Sequence, residues 1–226
     1  DGGSANDMVK GWVLAILAAH TKDDVTWYED YVRANNTPGG WAHPVYTTYS
    51  DGFYRRVVDN FDDGAVAGTN IGGVLSTYQA TAQVLASPYP HWGHLLWMWG
   101  QSTSGLVSWT VPTAQGNASL FKWLSLRIAQ QCGSAANDLR IQIRNNGVWS
   151  PELRLTDYGV IPQPLETCSA FGACSTQAQM ATIRVPFSAF GVHNDVEHVR
   201  LRFRGDSTID TFIVDNLEFS EYVFKP

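Results

Sequence analysis

Hydrophobic and polar residues alternate with a period of two in several short stretches of the second half of the chain. Because successive side chains of a β-strand point to opposite faces, this pattern predicts strands with one buried and one solvated face. Clusters of turn-forming residues separate the stretches, for example Asn-Asn-Gly at 145–147. In the clearest alternating stretches, Arg or Gln alternates with aliphatic or aromatic residues. These stretches are 139–144, 153–155, 183–185 and 199–204.

The segment 212–219 is different, because it is apolar on both faces. This is typical of a central strand that is covered on both sides. Short strands at close spacing, without helical patterns between them, indicate a β-sandwich. The sequence therefore predicts a mainly β chain, with an antiparallel β-sandwich of the jelly-roll type over residues 57–226.

The N-terminal part has helical spacing instead. Apolar residues recur every three or four positions over 8–17, and a second such pattern covers 21–32. We expect two short N-terminal α-helices within residues 1–34, followed by a linker over 35–56. Two short helices cannot bury their own apolar faces, so they need a partner surface. They either dock on the following domain or form the end of a larger domain.

Composition narrows the function classes. The 226 residues are 44% hydrophobic and 12% aromatic, which is too apolar for a disordered chain. The 15 basic and 21 acidic residues give a net charge of −6, whereas a nucleic-acid-binding protein has a basic stripe or a high pI. No apolar run approaches the roughly 18 residues of a membrane-spanning helix. We expect neither a nucleic acid nor a membrane as partner.

The three cysteines, Cys132, Cys168 and Cys174, favour an oxidising, extracytoplasmic setting. Cys168 and Cys174 flank a short loop, so a local disulfide is sterically reasonable, while a link from Cys132 to either one is equally open. The alternative is three buried, reduced thiols.

No motif marks a catalytic centre. The string 100–104 lacks the second glycine of a nucleophile elbow and lies between two β-like stretches. No spacing identifies a pair of catalytic carboxylates. His91 and His94 lie three residues apart in a loop without a companion ligand. We predict no catalytic residue in this chain.

Acidic residues at both ends of the β region suggest a metal. Asp59 and Asp62 come from the first β-like segment, and Asp215 comes from the last. First and last strands of a sandwich often lie side by side, and with backbone carbonyls these carboxylates would form an all-oxygen site for structural Ca²⁺. The alternative is that the first pair belongs to a turn and Asp215 caps nearby amides.

Four segments in order resemble the galactose-binding-like jelly rolls, a fold shared by many carbohydrate-binding modules. The order is similar to that of the C-terminal accessory domains of large secreted bacterial α/β-hydrolases. Residues 8–20 and 27–32 likewise resemble the closing helices of such a catalytic domain, but no catalytic role passes to His20. The four segments of the jelly-roll resemblance are 57–64, 123–130, 183–190 and 214–219.

This resemblance implies a non-catalytic accessory module of a secreted bacterial hydrolase. Its partners would be a polysaccharide or other polymer and the catalytic domain of the same polypeptide. The alternatives are a hydrolase in its own right, an esterase or lipase or a glycosidase, and a structural domain without a ligand.

Binding of a carbohydrate requires exposed aromatic rings and polar groups beside them. Trp149 follows a turn and precedes a proline, which makes it the foremost surface candidate. An Arg-rich strand face, with Arg140, Arg144, Arg200, Arg202 and Arg204, would suit an acidic polysaccharide, although such faces are more often paired with their own carboxylates. The aromatic candidates for ligand binding are Trp92, Trp97, Trp99, Trp149 and Tyr158.

Overall fold

The computed structural model describes residues 10, 13–18, 21–22, 55–87, 93–132, 137–168, 174–205 and 210–220. The chain divides into two compact units, one formed by Asp1–Ser50 with Val223–Pro226 and the other by Asp51–Tyr222. In the first unit, residues 13–18 form helix α1, and residues 10 and 21–22 are also helical. The second predicted helix and most of the predicted linker lie outside the described residues. No described helix has both the length and the apolar character needed to cross a membrane.

Helix α1 carries apolar side chains that its own unit leaves accessible. Leu14 is 65% exposed and Leu17 is 50% exposed, whereas Ala15 is buried. That the segment needs a partner surface stays a prediction.

The second unit contains two six-stranded antiparallel sheets, so the predicted mainly β sandwich is confirmed. Sheet one has the order β12–β6–β14–β4–β3. Strand β14 pairs with β6 on one side, and with β4 and β1 in succession on the other. The strands of sheet one are β1 (Arg55–Asp59), β3 (Ala80–Ala86), β4 (His94–Gly100), β6 (Trp123–Cys132), β12 (Ala181–Pro186) and β14 (Thr211–Ser220).

Sheet two has the order β2–β5–β13–β7, and the outer side of β7 pairs with both β8 and β9. Its strands are β2 (Leu75–Tyr78), β5 (Leu106–Thr110), β7 (Asp138–Asn145), β8 (Val148–Trp149), β9 (Leu153–Arg154) and β13 (Val196–Arg204).

The main core lies between the two sheets and consists of their inward-facing apolar side chains. Trp109 from sheet two is completely buried there. The ring centroids of Phe203 of β13 and Phe212 of β14 lie 6.1 Å apart in this core. The alternation seen in the sequence therefore separates this core from a polar outer face on sheet two, whereas the outer face of sheet one carries a second, smaller apolar cluster that includes Leu95 and Ile213.

The described part of this unit also contains a small separate sheet, one short α-helix and two 3-10 helices, Thr113–Gln115 and Leu155–Asp157. Strands β10 (Leu165–Cys168) and β11 (Cys174–Gln177) form a separate two-stranded sheet, in whose register Cys168 lies opposite Cys174. A short helix, α2 (Phe187–Phe190), follows β12 and contributes Phe187 to the core.

Candidate functional site

The outer face of sheet two carries an array of arginines, which we call the arginine face. The period of two along β7 and β13 places these side chains on one side, and the antiparallel register sets them in rows. Arg202 lies opposite Arg140, and Arg200 lies opposite Gln142. The arginine face consists of Arg140, Arg144, Arg154, Arg200, Arg202 and Arg204.

Two carboxylates, Glu152 and Asp138, form hydrogen bonds with arginines of this face. Glu152 accepts hydrogen bonds from Arg202 and from Arg204, each at 2.6 Å. Asp138 accepts a two-pronged bond from Arg140, with both N···O distances at 2.9 Å. The hydrogen bond from Arg204 lowers the pKa of Glu152, and the one from Arg140 lowers the pKa of Asp138. Both acids are therefore ionised at neutral pH.

Arg200 has a different environment. Its Nε and Nη2 donate to the amide oxygen of Gln142 at 2.9 and 2.6 Å, and its guanidinium carbon lies 3.5 Å from the ring centroid of Trp149. Burial lowers the pKa of Arg200 to about 10, and the positive charge of Arg202 adds to this effect. Arg200 therefore remains protonated at pH 7, and its guanidinium is partly desolvated.

Trp149 reaches this position through a tight turn. Asn146 and Gly147 both have positive φ, 48° and 76°, as a two-residue hairpin of the primed type requires. The hairpin places Trp149 opposite Arg144, and thus on the outer face. The predicted turn at 145–147 therefore positions the indole ring on this face.

His198 also lies close to the indole. Its ring centroid is 5.8 Å from that of Trp149, and the register places it opposite Arg144. Burial lowers the pKa of His198, and the charge of Arg144 lowers it further. The imidazole is thus neutral at pH 7 and offers both a donor and an acceptor.

Trp149 also borders an open groove of about 410 Å³ at the end of the sandwich. The lining of the groove combines apolar side chains with amide and hydroxyl groups, which suits a ligand with both apolar and hydroxyl surfaces. It is lined by Ile143, Asn145, Asn146, Val148, Trp149, Ser150, Pro151, Phe190 and Val192.

The structure does not bring the other aromatic candidates to this site. Trp97 and Trp99 lie on β4 of sheet one, and Trp97 packs against a small second apolar cluster. Tyr158 packs against the main core. Trp92 lies outside the described residues.

The acidic candidates for a metal are distributed over two environments. Asp59 is buried, and its Oδ1 accepts the Phe61 N–H at 3.1 Å. Burial raises the pKa of Asp59 to about 7, against the opposing effect of that hydrogen bond. The Trp109 indole also opposes the rise, although neither its Nε1 nor Asp59 Oδ2 has a hydrogen-bond partner of normal geometry.

Asp215 lies in the second environment, where it forms an ion pair with Arg127. Burial raises the pKa of Asp215 to about 6, the attraction of Arg127 opposes this rise, and the negative charge of Asp62 adds to it. Within the described ranges, no group of three His, Cys, Asp or Glu side chains converges as metal ligands. The predicted calcium site, formed by Asp59, Asp62 and Asp215 with backbone oxygens, stays a prediction.

Sequence reasoning missed two members of the site around Trp149, namely Gln142 and His198. Gln142 is nearly buried and was hidden inside an alternating strand pattern, and His198 stands among the arginines of β13. The only signal in the sequence was that each of them is a polar residue at an outward position of its strand. The contact of Gln142 with Arg200 and that of His198 with Trp149 depend on the register of β13 and β7.

No family model and no curated protein matches the sequence. Among solved structures, the family 11 carbohydrate-binding module from Clostridium thermocellum, in complex with a β-1,3-1,4-mixed-linked tetrasaccharide, is similar with a TM-score of 0.46 and 16% identity over 75% of this chain and 96% of that chain. The β-1,2-glucanase from Parabacteroides distasonis has a TM-score of 0.49 and 16% identity, over 75% and 26%. The CBM22-1 xylan-binding domain from Paenibacillus barcinonensis Xyn10C is similar with a TM-score of 0.45 and 11% identity, over 75% of this chain and 98% of that chain. The sugars in these names refer to those proteins.

Proposed function

We propose that this chain is a non-catalytic carbohydrate-binding module of a secreted bacterial hydrolase, and that its ligand site is centred on Trp149. The observation that carries the proposal is the position of Trp149 between the arginine face and the groove. Sugars present apolar C–H faces together with a periphery of hydroxyl groups. An indole beside several polar side chains complements both features.

The groups around Trp149 supply the polar half of this recognition. Asn145, Asn146 and Ser150 border the groove, and His198 lies beside the ring. Amide, hydroxyl and neutral imidazole groups can each donate to or accept from a sugar hydroxyl. The site therefore has the chemistry to orient a polysaccharide chain without cleaving it.

The role in the whole protein follows from tethering. A module that binds a polymer weakly raises the effective concentration of a catalytic domain on the same polypeptide near an insoluble substrate. The apolar side chains exposed on α1 and the resemblance of residues 8–32 to the end of a hydrolase domain support such a neighbour.

The test is retention of the chain on a panel of insoluble and gel-embedded polysaccharides. Trp149→Ala should weaken retention by about tenfold or more, since truncation of a central aromatic anchor has effects of this size. Trp99→Ala is the matched control, because it removes a partly exposed Trp from the other sheet. Loss of binding in the control but not in Trp149→Ala would move the site to sheet one.

Two other outcomes would decide against the proposal itself. Failure of the chain to bind any polysaccharide would favour a structural domain. Hydrolysis of esters or glycosides by the chain alone, abolished by a single Ser or carboxylate substitution, would make it an enzyme.

A further inference from the structure

We propose that the polymer bound by the arginine face is an acidic polysaccharide with carboxylate groups, and that Arg200 binds one of those carboxylates. This inference rests on the proposed carbohydrate-binding function and specifies its ligand class.

The first argument is the charge of the face. The six arginines of the arginine face are accompanied by three carboxylates, Asp138, Glu152 and Glu197. This surface therefore has a positive excess on a chain whose net charge is −6. A local field opposite to the charge of the whole protein attracts a polyanion to this face rather than elsewhere.

The second argument is the distribution of ion pairs. Five of the six arginines have a carboxylate partner: Arg140 and Arg154 pair with Asp138, Arg202 and Arg204 with Glu152, and Arg144 with Glu197. Arg200 has none within the described part of the chain, where its partners are the neutral groups of Gln142 and Trp149. The groups around Asp138 and Glu152 each keep one positive charge in excess, and Arg200 carries a further one with no carboxylate beside it.

The third argument is the orientation of that guanidinium. Nε and Nη2 donate to Gln142, and the guanidinium carbon lies over the indole of Trp149. Its remaining N–H bonds have no acceptor among the described residues. A guanidinium held in this way has lost most of its rotamer freedom before a ligand arrives, which favours binding.

The face also shows which anion its arginines accept. Arg140 binds Asp138 through two parallel N–H···O contacts, both at 2.9 Å. This planar, two-pronged geometry matches a carboxylate. Partial burial, which lowers the pKa of Arg200, adds to the free energy gained when an anion neutralises its charge. The structure thus favours a uronate-type carboxylate as the group that Arg200 recognises.

The experiment compares four probes by affinity electrophoresis and titration calorimetry with the whole chain. Polygalacturonate and alginate carry carboxylates, dextran sulfate carries sulfates, and mixed-linkage β-glucan is neutral. We expect tightest binding to a carboxylate polymer and weaker binding as salt rises from about 0.05 to about 0.3 M, because salt screens exposed charges.

Three variants assign the effect to Arg200. R200Q should weaken binding to the carboxylate polymer by about tenfold, since a charge-assisted hydrogen bond is lost. R200K keeps the charge without the planar fork and should be intermediate, which also covers the case in which R200Q folds poorly. R184Q is the matched control, because Arg184 lies over Trp123, at 4.4 Å, on the other sheet. It should bind like the original chain.

The outcomes separate this inference from the function on which it rests. Equal binding to neutral and acidic polymers, with no loss in R200Q, would overturn the acidic ligand and leave the carbohydrate-binding function standing. Binding to dextran sulfate alone would overturn the carboxylate assignment. Absence of binding to all four probes would overturn the acidic ligand, and the wider polysaccharide panel would then decide the carbohydrate-binding function separately.

Discussion

The guanidinium of Arg200 lies over the indole of Trp149, with its carbon 3.5 Å from the ring centroid. The two residues come from different strands of sheet two, β13 and β8, and neither is a neighbour of the other in sequence. Because they are in contact, each side chain restricts the conformations of the other. The contact also predicts that their contributions to stability are coupled.

A double-mutant cycle measures this coupling. We expect Trp149→Ala and Arg200→Gln together to destabilise the chain by about 1 kcal/mol less than the sum of the single variants, since cation–π pairs have energies of this size. Urea unfolding of the four proteins gives the number. The pair Trp99 and Arg200, from different sheets, serves as the control and should be additive. Additivity within error for Trp149 and Arg200 would contradict the contact.

Glu152 joins Arg202 and Arg204, so Glu152→Gln should destabilise the chain by about 1 kcal/mol at pH 7, a moderate value because these groups are partly solvated. The pKa of Glu152 is lowered in the folded state, so its contribution is present above the ordinary Glu pKa and is lost as pH falls through the folded pKa. The difference between variant and original chain should thus shrink in acid. A difference that is constant with pH in urea unfolding would argue against the ion pairs.

Asp59 should have the opposite pH dependence. Its folded pKa of about 7 lies above the ordinary value of 3.8, so the folded state binds the proton more tightly. Its contribution to the free energy of unfolding is therefore greatest below pH 3.8 and is lost as pH rises through about 7. Asp59→Asn, which can still accept the Phe61 N–H, should become more stable relative to the original chain as pH rises from 5 to 8.

Thermal unfolding at several pH values checks this difference. Asp157→Asn, at an exposed position, is the control. The pKa of Asp215 is also raised, so the melting temperature of the Asp59→Asn variant should still fall as pH rises, but by less than that of the original chain. An Asp59→Asn curve parallel to that of the original chain would show that Asp59 is ionised throughout.

The calcium hypothesis concerns Asp62 and Asp215, since the negative charge of Asp62 raises the pKa of Asp215. A Ca²⁺ ion between them would relieve this repulsion, and the melting temperature should then rise on addition of CaCl₂ and fall with a chelator. Asp62→Asn should lose the response. An unchanged melting temperature in chelator would leave Asp215 as the ion-pair partner of Arg127 alone.

The cysteine hypothesis gains a specific form from the register of β10 and β11, in which Cys168 lies opposite Cys174. Directly opposed residues of antiparallel strands have Cα atoms about 4.5–5.5 Å apart, within the range of a disulfide. We therefore expect a Cys168–Cys174 bridge and a free Cys132 in the oxidised protein. Peptide mapping by mass spectrometry under non-reducing conditions checks this, and a bridge that includes Cys132 would contradict it.

The sequence alone determined the mainly β class, several strands of the sandwich and the face on which their side chains lie. The alternation at 199–204 predicted β13, the alternation at 139–144 predicted β7, and the doubly apolar segment 212–219 predicted the central strand β14. These predictions succeeded because a period of two follows from the local geometry of one strand. It needs no knowledge of the neighbouring strand.

Only the tertiary structure decided which outward residues meet. Trp149 joined Arg200, Gln142 and His198, whereas Trp97 and Trp99 went to the other sheet. The order of strands and their register depend on contacts between residues far apart in the chain, and a strand pattern is compatible with many such orders. The sequence therefore specified the polar face of each strand, and the pairing of β13 with β7 and the β7–β8 hairpin made one of those faces a site.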